Sequence, residues 1–331
     1  MQIGFDELQA LTFGAIWMEM TSEGVRFHRF SKEEEAWLDL KETFAIRRRS
    51  GAGIRLDFET DAKKLRFHAS FSRGSSRKWG FFDFDIDGVL SAHGGSADVD
   101  AVPQYDFEAD LDGAIHRCTL HFPQLACAVL KDFELEGATF VKPWTYRRRF
   151  FFYGDSITQG YDAVHPELTY TALTASEFKA DMRNAAIGGA VFPPELVRLA
   201  PEGPKPDLIV SAYGTNDWSN CTREVFVRQA HDFFMALSEV YPGVPVAALL
   251  PIWRKDSDRV TSAGTFDDAR RIVIEAASCH PLAQVIPGDG LVPHLTGFFA
   301  DGRVHPDDLG FSFYARNLIR ELRLRFPALA D

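Results

Sequence analysis

Residues 151–160 read FFYGDSITQG, and this stretch indicates how the second half of the chain folds. Its apolar start is typical of a buried β-strand, and the glycines after it allow a sharp turn. Further strands, each followed by a helical sequence, are predicted at about 182–187, 207–213 and 244–250. Strands that alternate with helices predict a parallel sheet.

Ser156 stands just past the carboxyl end of the first of these strands, where open α/β sheets bind ligands. The turn lets its hydroxyl point into a cleft while its backbone N–H faces a bound carbonyl oxygen. Gly-Asp-Ser is also a common structural turn, so the tripeptide alone does not assign a function. A serine hydroxyl becomes a nucleophile when a base removes its proton, which directs attention to the histidines.

His305 is the histidine best placed to serve as that base. It lies after the last strand-like segment and just before a terminal helix, in residues 301–310, so the chain returns it to the same end of the sheet as Ser156. The other nine histidines fall in the β-rich first half, in loops or on helix faces. We therefore predict His305 as the general base.

Two further turns carry hydrogen-bond donors for an oxyanion. Residues 184–190, NAAIGGA, can present the N–H of Gly189, and residues 214–218, GTNDW, can present the side-chain amide of Asn216. Each turn alone is more typical of a loop than of a site. Four such turns at four strand ends of one sheet favour an active site.

The first half of the chain has a different pattern of apolar and polar residues. Residues 53–60, 64–71 and 80–87 alternate apolar and polar side chains, with glycine-rich breaks between such segments, which predicts an antiparallel β-sandwich. The aspartates at 83, 85 and 87 could form a calcium loop, but the apolar residues between them favour a strand with one face in solvent. The predicted domains are residues 1–145 and 146–331.

The blocks GDSI (154–157), NAAIGGA (184–190), GTND (214–217) and VHPDD (304–308) resemble, in order, the four signature blocks of the SGNH (GDSL-type) hydrolases. The resemblance implies a flavodoxin-like, three-layer α/β fold, with Ser156 as nucleophile, His305 as base, and an oxyanion hole formed by the Ser156 N–H, Gly189 and Asn216. The first half is similar to the jelly-roll-like sandwich of two-domain SGNH carbohydrate acetylesterases and related acyltransferases. The G-x-S-x-G elbow of α/β-hydrolases is absent from the chain.

One position departs from the family pattern. The SGNH enzymes place an aspartate three residues before the histidine, where this chain has Gly302, and the nearest acid, Asp301, lies four residues before. Either Asp301 or a backbone carbonyl could orient the His305 ring, since the ring needs only a hydrogen-bond acceptor. The sequence leaves both alternatives open.

The resemblance implies a serine esterase that hydrolyses short acyl esters, first of all acetyl esters, of a carbohydrate or small alcohol through an acyl-enzyme, without a cofactor or a metal. An acyltransferase using the same site, or an inactive carbohydrate-binding protein, is the alternative. Trp218 and Trp253 follow strand ends and could stack on a sugar ring, although core packing is an equal alternative for both.

Composition limits the partners further. A net charge of -11 disfavours nucleic acid, and no apolar run is long enough for a membrane span. The amino terminus lacks the basic start of a secretory signal, which predicts a cytoplasmic protein. The four cysteines are scattered along the chain, a pattern typical of free thiols rather than of disulfides or a metal site. The expected partner is a small-molecule or carbohydrate ester, and the sequence indicates no oligomeric state.

Overall fold

The computed structural model describes residues 1–329, in which the chain forms two compact units. The first unit comprises residues 1–30, 38–146 and 164–167. The second comprises residues 31–37, residues 147–163 and the chain from residue 168 onward. The single boundary predicted after residue 145 does not include this exchange of two short segments.

The first unit contains two antiparallel sheets. One has the order β1-β4-β9-β6-β7 with β11 paired to β4, and its strands are β1 (Thr12–Phe13), β4 (Arg55–Thr60), β6 (Gly80–Ile86), β7 (Val89–Ser96), β9 (His116–His121) and β11 (Val141–Pro143). The other has the order β2-β3-β10-β5-β8, and its strands are β2 (Trp17–Thr21), β3 (Gly24–His28), β5 (Lys64–Arg73), β8 (Gln104–Asp110) and β10 (Ala126–Glu136). Helices α1 (Phe5–Leu11) and α3 (Glu42–Arg47) also belong to this unit. One apolar core, which draws side chains from both sheets, joins them into a β-sandwich.

Strand β6 shows where the sequence prediction holds and where it is wrong. Phe82 and Phe84 point into the sandwich core, so the segment is a strand as predicted. The opposite face is not in solvent, however, because Asp83 is completely buried and Asp85 is 8% exposed. Residues 164–167 cover this face, and two of them contact the Asp83 carboxylate.

The second unit is built on one parallel sheet with the order β13-β12-β14-β15-β16. Its strands are β12 (Arg148–Gly154), β13 (Ala180–Asn184), β14 (Leu208–Ala212), β15 (Val246–Leu249) and β16 (Ala283–Ile286). Counted from its own first strand the order is 2-1-3-4-5, which is the flavodoxin-like order. The predicted α/β fold is therefore confirmed.

Helices cover both faces of this sheet. They are α2 (Lys32–Leu38), α4 (Ser156–Gln159), α5 (Tyr170–Glu177), α6 (Pro194–Arg198), α7 (Thr215–Asn220), α8 (Arg223–Val240), α9 (Phe266–Ala277) and α10 (Asp308–Arg325). Short 3-10 turns occur at Pro166–Leu168, Thr296–Phe298 and Pro327–Leu329. None of the helices in residues 1–329 combines the length and apolar composition that a bilayer crossing requires.

The side chains of β12 alternate between the two helical layers. Phe152 packs edge-on against Tyr170 of α5, whose ring stacks on Tyr314 of α10. The next side chain, Tyr153, packs against Phe233 of α8 on the other face. A strand that is buried on both faces is expected to be continuously apolar, as residues 150–153 are.

A buried ion pair joins helix α2 to the parallel sheet. The Arg183 guanidinium donates to both carboxylate oxygens of Glu34, at 2.5 and 2.6 Å, and their side chains are 4% and 0% exposed. The Glu34 carboxylate also accepts from the backbone N–H of Ser31, at 2.8 Å, where the helix begins. Glu34 therefore supplies the negative charge that compensates a cation with almost no access to water.

We expect Glu34→Ala to lower the free energy of unfolding by about 3–5 kcal/mol, because it leaves the Arg183 charge buried without a partner. Glu195→Ala is the control, since Glu195 pairs with Arg198 at 2.8 Å but both side chains are exposed. That change should cost less than about 1 kcal/mol. Urea unfolding of both variants at pH 7 measures the difference, and equal small effects would contradict the assigned role of the buried pair.

Candidate active site

The candidate site lies at the carboxyl edge of the parallel sheet, where the strand order reverses. Ser156 begins helix α4 directly after β12, and Asn216 lies in α7 directly after β14. These two strands are neighbours in the sheet, and the chain leaves them toward the same edge. Such a switch point is the usual ligand-binding position of open α/β sheets.

The turn after β12 is fixed by Gly154 and Asp155. A side chain at Gly154 would collide with the side chain of Thr158, so this close approach requires glycine. Asp155 caps the short helix, because its Oδ1 accepts from the N–H of Ile157 at 3.0 Å. Its Oδ2 accepts from the side-chain amide of Asn216 at 3.2 Å, and burial raises the pKa of Asp155 to about 6.

Ser156, His305 and Asp301 form one hydrogen-bonded chain. The Ser156 Oγ lies 2.8 Å from Nε2 of His305, and Nδ1 of the same ring lies 2.8 Å from Oδ2 of Asp301. The His305 side chain is 16% exposed and that of Asp301 is 26% exposed, so the chain of contacts is reachable from solvent. A nucleophile, a base and a carboxylate that orients the base are thus assembled in order.

A tight loop explains how Asp301 reaches the ring from four residues away. Oδ1 of Asp301 accepts from the backbone N–H groups of Arg303, Val304 and His305, at 2.9, 2.8 and 3.1 Å. Gly302 has a φ of +63°, a conformation that glycine adopts without strain. The chain therefore wraps around the carboxylate and returns His305 to its free oxygen.

The same contacts set the charge of Asp301. Burial disfavours the ionised form, but the hydrogen bonds from the His305 ring and from the loop amides outweigh it and hold the pKa of Asp301 well below its usual range. The carboxylate is therefore ionised throughout the neutral pH range, and its Oδ2 can accept a hydrogen bond from a protonated Nδ1 of His305.

A second acid, which the sequence did not reveal, lies beside the base. Oδ2 of Asp162 lies 3.4 Å from Nδ1 of His305, and the Asp162 side chain is 6% exposed. The ring of the adjacent Tyr161 stacks against His305 with centroids 5.6 Å apart. No sequence signal marks Asp162, because its approach to His305 depends on the path of the chain after α4.

The predicted oxyanion donors lie in one cluster. The backbone N–H groups of Ser156 and Gly189 lack an acceptor among residues 1–329, and Gly189 has a φ of +73°. The Asn216 Nδ2 donates to Oδ2 of Asp155, one residue before Ser156, and to the carbonyl of Ala190, one residue after Gly189. Both hydrogens of this amide therefore point to protein acceptors in the structure.

Polar side chains hold the Gly189 turn in place. The Asn184 amide donates to the carbonyl of Thr158 at 2.8 Å, and the Gln159 Oε1 accepts from the N–H of Gly188 at 2.8 Å. Asp217 accepts from the N–H groups of Phe192 and Gly214, and burial raises its pKa to about 7. The turns after β12, β13 and β14 are thus cross-linked by hydrogen bonds.

The two tryptophans that could contact a substrate, Trp218 and Trp253, differ in their burial. The prediction that Trp218 lines a ligand cleft is wrong, because its side chain is completely buried, donates to the carbonyl of Gly264 at 3.0 Å and packs edge-on against Phe266. Trp253 is half-buried and stacks on His294 with centroids 5.6 Å apart. Its contact with a substrate stays a prediction.

Two groups of side chains within residues 1–329 have a spacing compatible with a metal ion. One consists of Asp162, Asp301 and His305, and the last two already belong to the hydrogen-bonded chain with Ser156. The other consists of Asp83, His93 and His165 and lies in the first unit.

Residues 152–312 match the model of the GDSL-like Lipase/Acylhydrolase family, and no curated protein matches the sequence. A salicylyl-acyltransferase, SsfX3, from a tetracycline biosynthetic pathway is 21% identical, with a TM-score of 0.78 over 96% of this chain and 94% of that one.

Two solved esterases also share the fold. An acetyl xylan esterase, Est2A, from the rumen bacterium Butyrivibrio proteoclasticus is 14% identical, with a TM-score of 0.64 over 99% of this chain and 98% of that one. A family two carbohydrate esterase from Clostridium thermocellum, solved with cellohexaose, is 16% identical, with a TM-score of 0.61 over 83% and 92%. At these identities the likeness concerns the fold alone.

Proposed function

Because residues 152–312 belong to the GDSL-like lipase/acylhydrolase family, we propose that this protein is a serine esterase that cleaves short acyl esters of a carbohydrate or small alcohol. The observation that carries the proposal is the unbroken chain of contacts from Ser156 through His305 to Asp301, with both links at 2.8 Å. This arrangement supplies a nucleophile, a base and an acceptor that keeps the base in the correct tautomer.

The reaction would proceed in two steps. The Ser156 Oγ attacks the acyl carbonyl carbon while Nε2 of His305 takes its proton, and the tetrahedral intermediate then expels the alcohol, which receives that proton. Water attacks the acyl-enzyme with His305 again as base, and the acid and free Ser156 are released. Asp301 accepts the Nδ1 hydrogen throughout and stabilises the imidazolium that forms.

The developing oxyanion would be held by N–H donors that the fold leaves available. The amides of Ser156 and Gly189 lack an acceptor among residues 1–329, which suits them to this role. Asn216 can join them only by sharing a hydrogen with the substrate or by giving up its bond to the Ala190 carbonyl. Its contribution to catalysis is therefore expected to be smaller than that of the two amides.

The substrate class rests on fold likeness. Two of the similar structures are esterases of carbohydrates. In this chain the Trp253 ring packs against Phe299, near the loop that carries His305, and offers an aromatic face on which a sugar could stack. An acyltransferase is the second candidate, because a salicylyl-acyltransferase has the same two-unit fold with a TM-score of 0.78. The cytoplasmic location stays a prediction.

An ester screen with product analysis tests the proposal and separates the two candidates. Acetylated xylo-oligosaccharides and p-nitrophenyl esters of increasing acyl length would be offered with and without an added acceptor alcohol. We expect turnover of acetyl esters with release of acetate, and none by Ser156→Ala. A transfer product that exceeds free acetate at modest acceptor concentration would assign an acyltransferase instead.

The third interpretation, an inactive carbohydrate-binding protein, makes a different prediction. Such a protein would bind oligosaccharides without turning over any ester and without reacting with a fluorophosphonate. That pair of results would overturn the proposed esterase.

A further inference from the structure

The first unit contains a cluster of acidic and imidazole side chains that the proposed esterase does not use. Asp83 on β6, His93 on β7 and His165 in the segment 164–167 place three ligand atoms within 4.8 Å of one another. The cluster draws on three separate stretches of chain, and its central carboxylate is completely buried. We propose that Asp83, His93 and His165 form a binding site for a divalent transition metal, Zn²⁺ in the first instance.

The distances suit such an ion. Nδ1 of His93 and Nδ1 of His165 lie 2.6 and 3.1 Å from the same oxygen, Oδ1 of Asp83. Ligands of tetrahedral Zn²⁺ at about 2.0–2.2 Å are separated from one another by about 3.3 Å. The His165 contact is already close to that separation, and the His93 contact would have to lengthen by about 0.7 Å to admit the metal.

The ligand types agree with the same assignment. Two imidazole nitrogens and one carboxylate oxygen are ligands of borderline-soft metals such as Zn²⁺, whereas Ca²⁺ and Mg²⁺ prefer sites made of oxygen alone. Three protein ligands leave a fourth position for water. The site would therefore be distinct from the calcium loop considered for the aspartates of β6.

The surroundings of Asp83 are organised as they are around metal ligands. Its second oxygen, Oδ2, accepts from the backbone N–H of Glu167 at 3.1 Å, which fixes the orientation of the carboxylate. The Phe81 ring lies against His93, with centroids 4.7 Å apart, and the two imidazoles lie 4.2 Å apart. Asp83 and His93 are thus each held by a contact with a residue outside the cluster, and the His165 ring packs against that of His93.

A neighbouring aspartate adds an independent observation. Asp85, two residues along β6 on the same face, is 8% exposed, and its Oδ1 has no hydrogen-bond partner among residues 1–329. Its other oxygen, Oδ2, lies 3.2 Å from Nε2 of His121. A cation bound at Asp83 would compensate the charge of two carboxylates that lie buried on one face of β6.

One histidine–aspartate pair of the same unit, His68 and Asp106, lacks these features. His68 contacts Asp106 through Nδ1 at the same 2.6 Å, but the Asp106 side chain is 83% exposed and the pair has no third ligand. His68→Gln is therefore a matched control that removes an imidazole–carboxylate contact without touching the proposed site.

Zinc binding to the full-length protein tests the proposal. After treatment with a chelator and its removal, we expect the wild type and His68→Gln to bind one equivalent of Zn²⁺ in calorimetric titration and to gain thermal stability from it. His93→Gln, His165→Gln and Asp83→Asn keep a polar side chain at each position and should weaken binding by at least about 100-fold, because each removes a ligand. Circular dichroism of each variant verifies that it is folded.

Three outcomes would overturn the proposal. The wild type could bind no Zn²⁺ saturably, or the three ligand variants could bind it as the wild type does. Binding that persists in those variants and disappears in His305→Gln would assign the metal to Asp162, Asp301 and His305 instead. Because these readouts do not depend on ester hydrolysis, failure of the metal site leaves the proposed esterase intact.

Discussion

Ser156→Ala is expected to lower kcat/KM for acetyl esters by about 10⁴-fold or more, because it removes the atom that forms the acyl-enzyme. Any residual turnover of this variant would come from the oxyanion donors and from substrate binding, which the substitution leaves intact. The change deletes one hydrogen bond, from Ser156 to His305, so the free energy of unfolding should fall by no more than about 1 kcal/mol. Initial-rate kinetics and urea unfolding measure the two effects.

Ser278→Ala is the matched control for this loss. Ser278 is exposed just after α9, and its hydroxyl donates to the carbonyl of Glu275 away from the site, so its replacement by alanine should leave kcat/KM unchanged. A Ser156→Ala enzyme that keeps more than about a tenth of the wild-type rate would exclude Ser156 as the nucleophile, since a true nucleophile is not replaceable by a methyl group.

Asp301→Asn is expected to lower kcat by about 10³–10⁴-fold through the tautomer of His305. Three backbone N–H groups converge on Oδ1 of Asp301, so the asparagine would keep its oxygen there. Its NH₂ group would then face Nδ1 of His305 and donate to it. The neutral ring would carry its hydrogen on Nε2, which could no longer take the proton of Ser156.

Asp207→Asn is the control for the loss of a carboxylate. Asp207 is exposed and accepts from the backbone N–H of Arg149 at 2.8 Å, outside the site. Replacing its carboxylate by an amide should therefore leave kcat unchanged. Asp162→Asn should have a smaller effect than Asp301→Asn, because Asp162 lies 3.4 Å from Nδ1 rather than 2.8 Å. An Asp301→Asn enzyme within about tenfold of the wild type would contradict the orienting role of Asp301.

The parallel sheet was predictable because its strands are buried on both faces and read as continuous apolar runs. The sequence placed Ser156 just past a strand end and His305 in the loop before the terminal helix, which returns to the same edge of the sheet, so their proximity was expected from topology. The reach of Asp301 was not predictable. It depends on a loop in which Gly302 has a positive φ and three amides surround the carboxylate.

Burial by a distant segment explains the other differences. The alternation in β6 predicted a face in solvent, but residues 164–167, which come about eighty positions later, cover Asp83. Trp218 was open to two interpretations, because an aromatic residue after a strand gives no indication of whether its ring faces a cleft or the core. In the structure it contacts Gly264 and Phe266, which a sequence pattern does not connect to it.

The most direct test of the account is the identity of the residue that reacts with a fluorophosphonate. We expect peptide mass spectrometry to find one equivalent of adduct on Ser156, protection by a hydrolysable acetyl ester, and strongly reduced labelling in His305→Gln. A folded wild-type protein that remains unmodified, or an adduct on a different residue, would contradict the assignment of Ser156 and His305 as nucleophile and base.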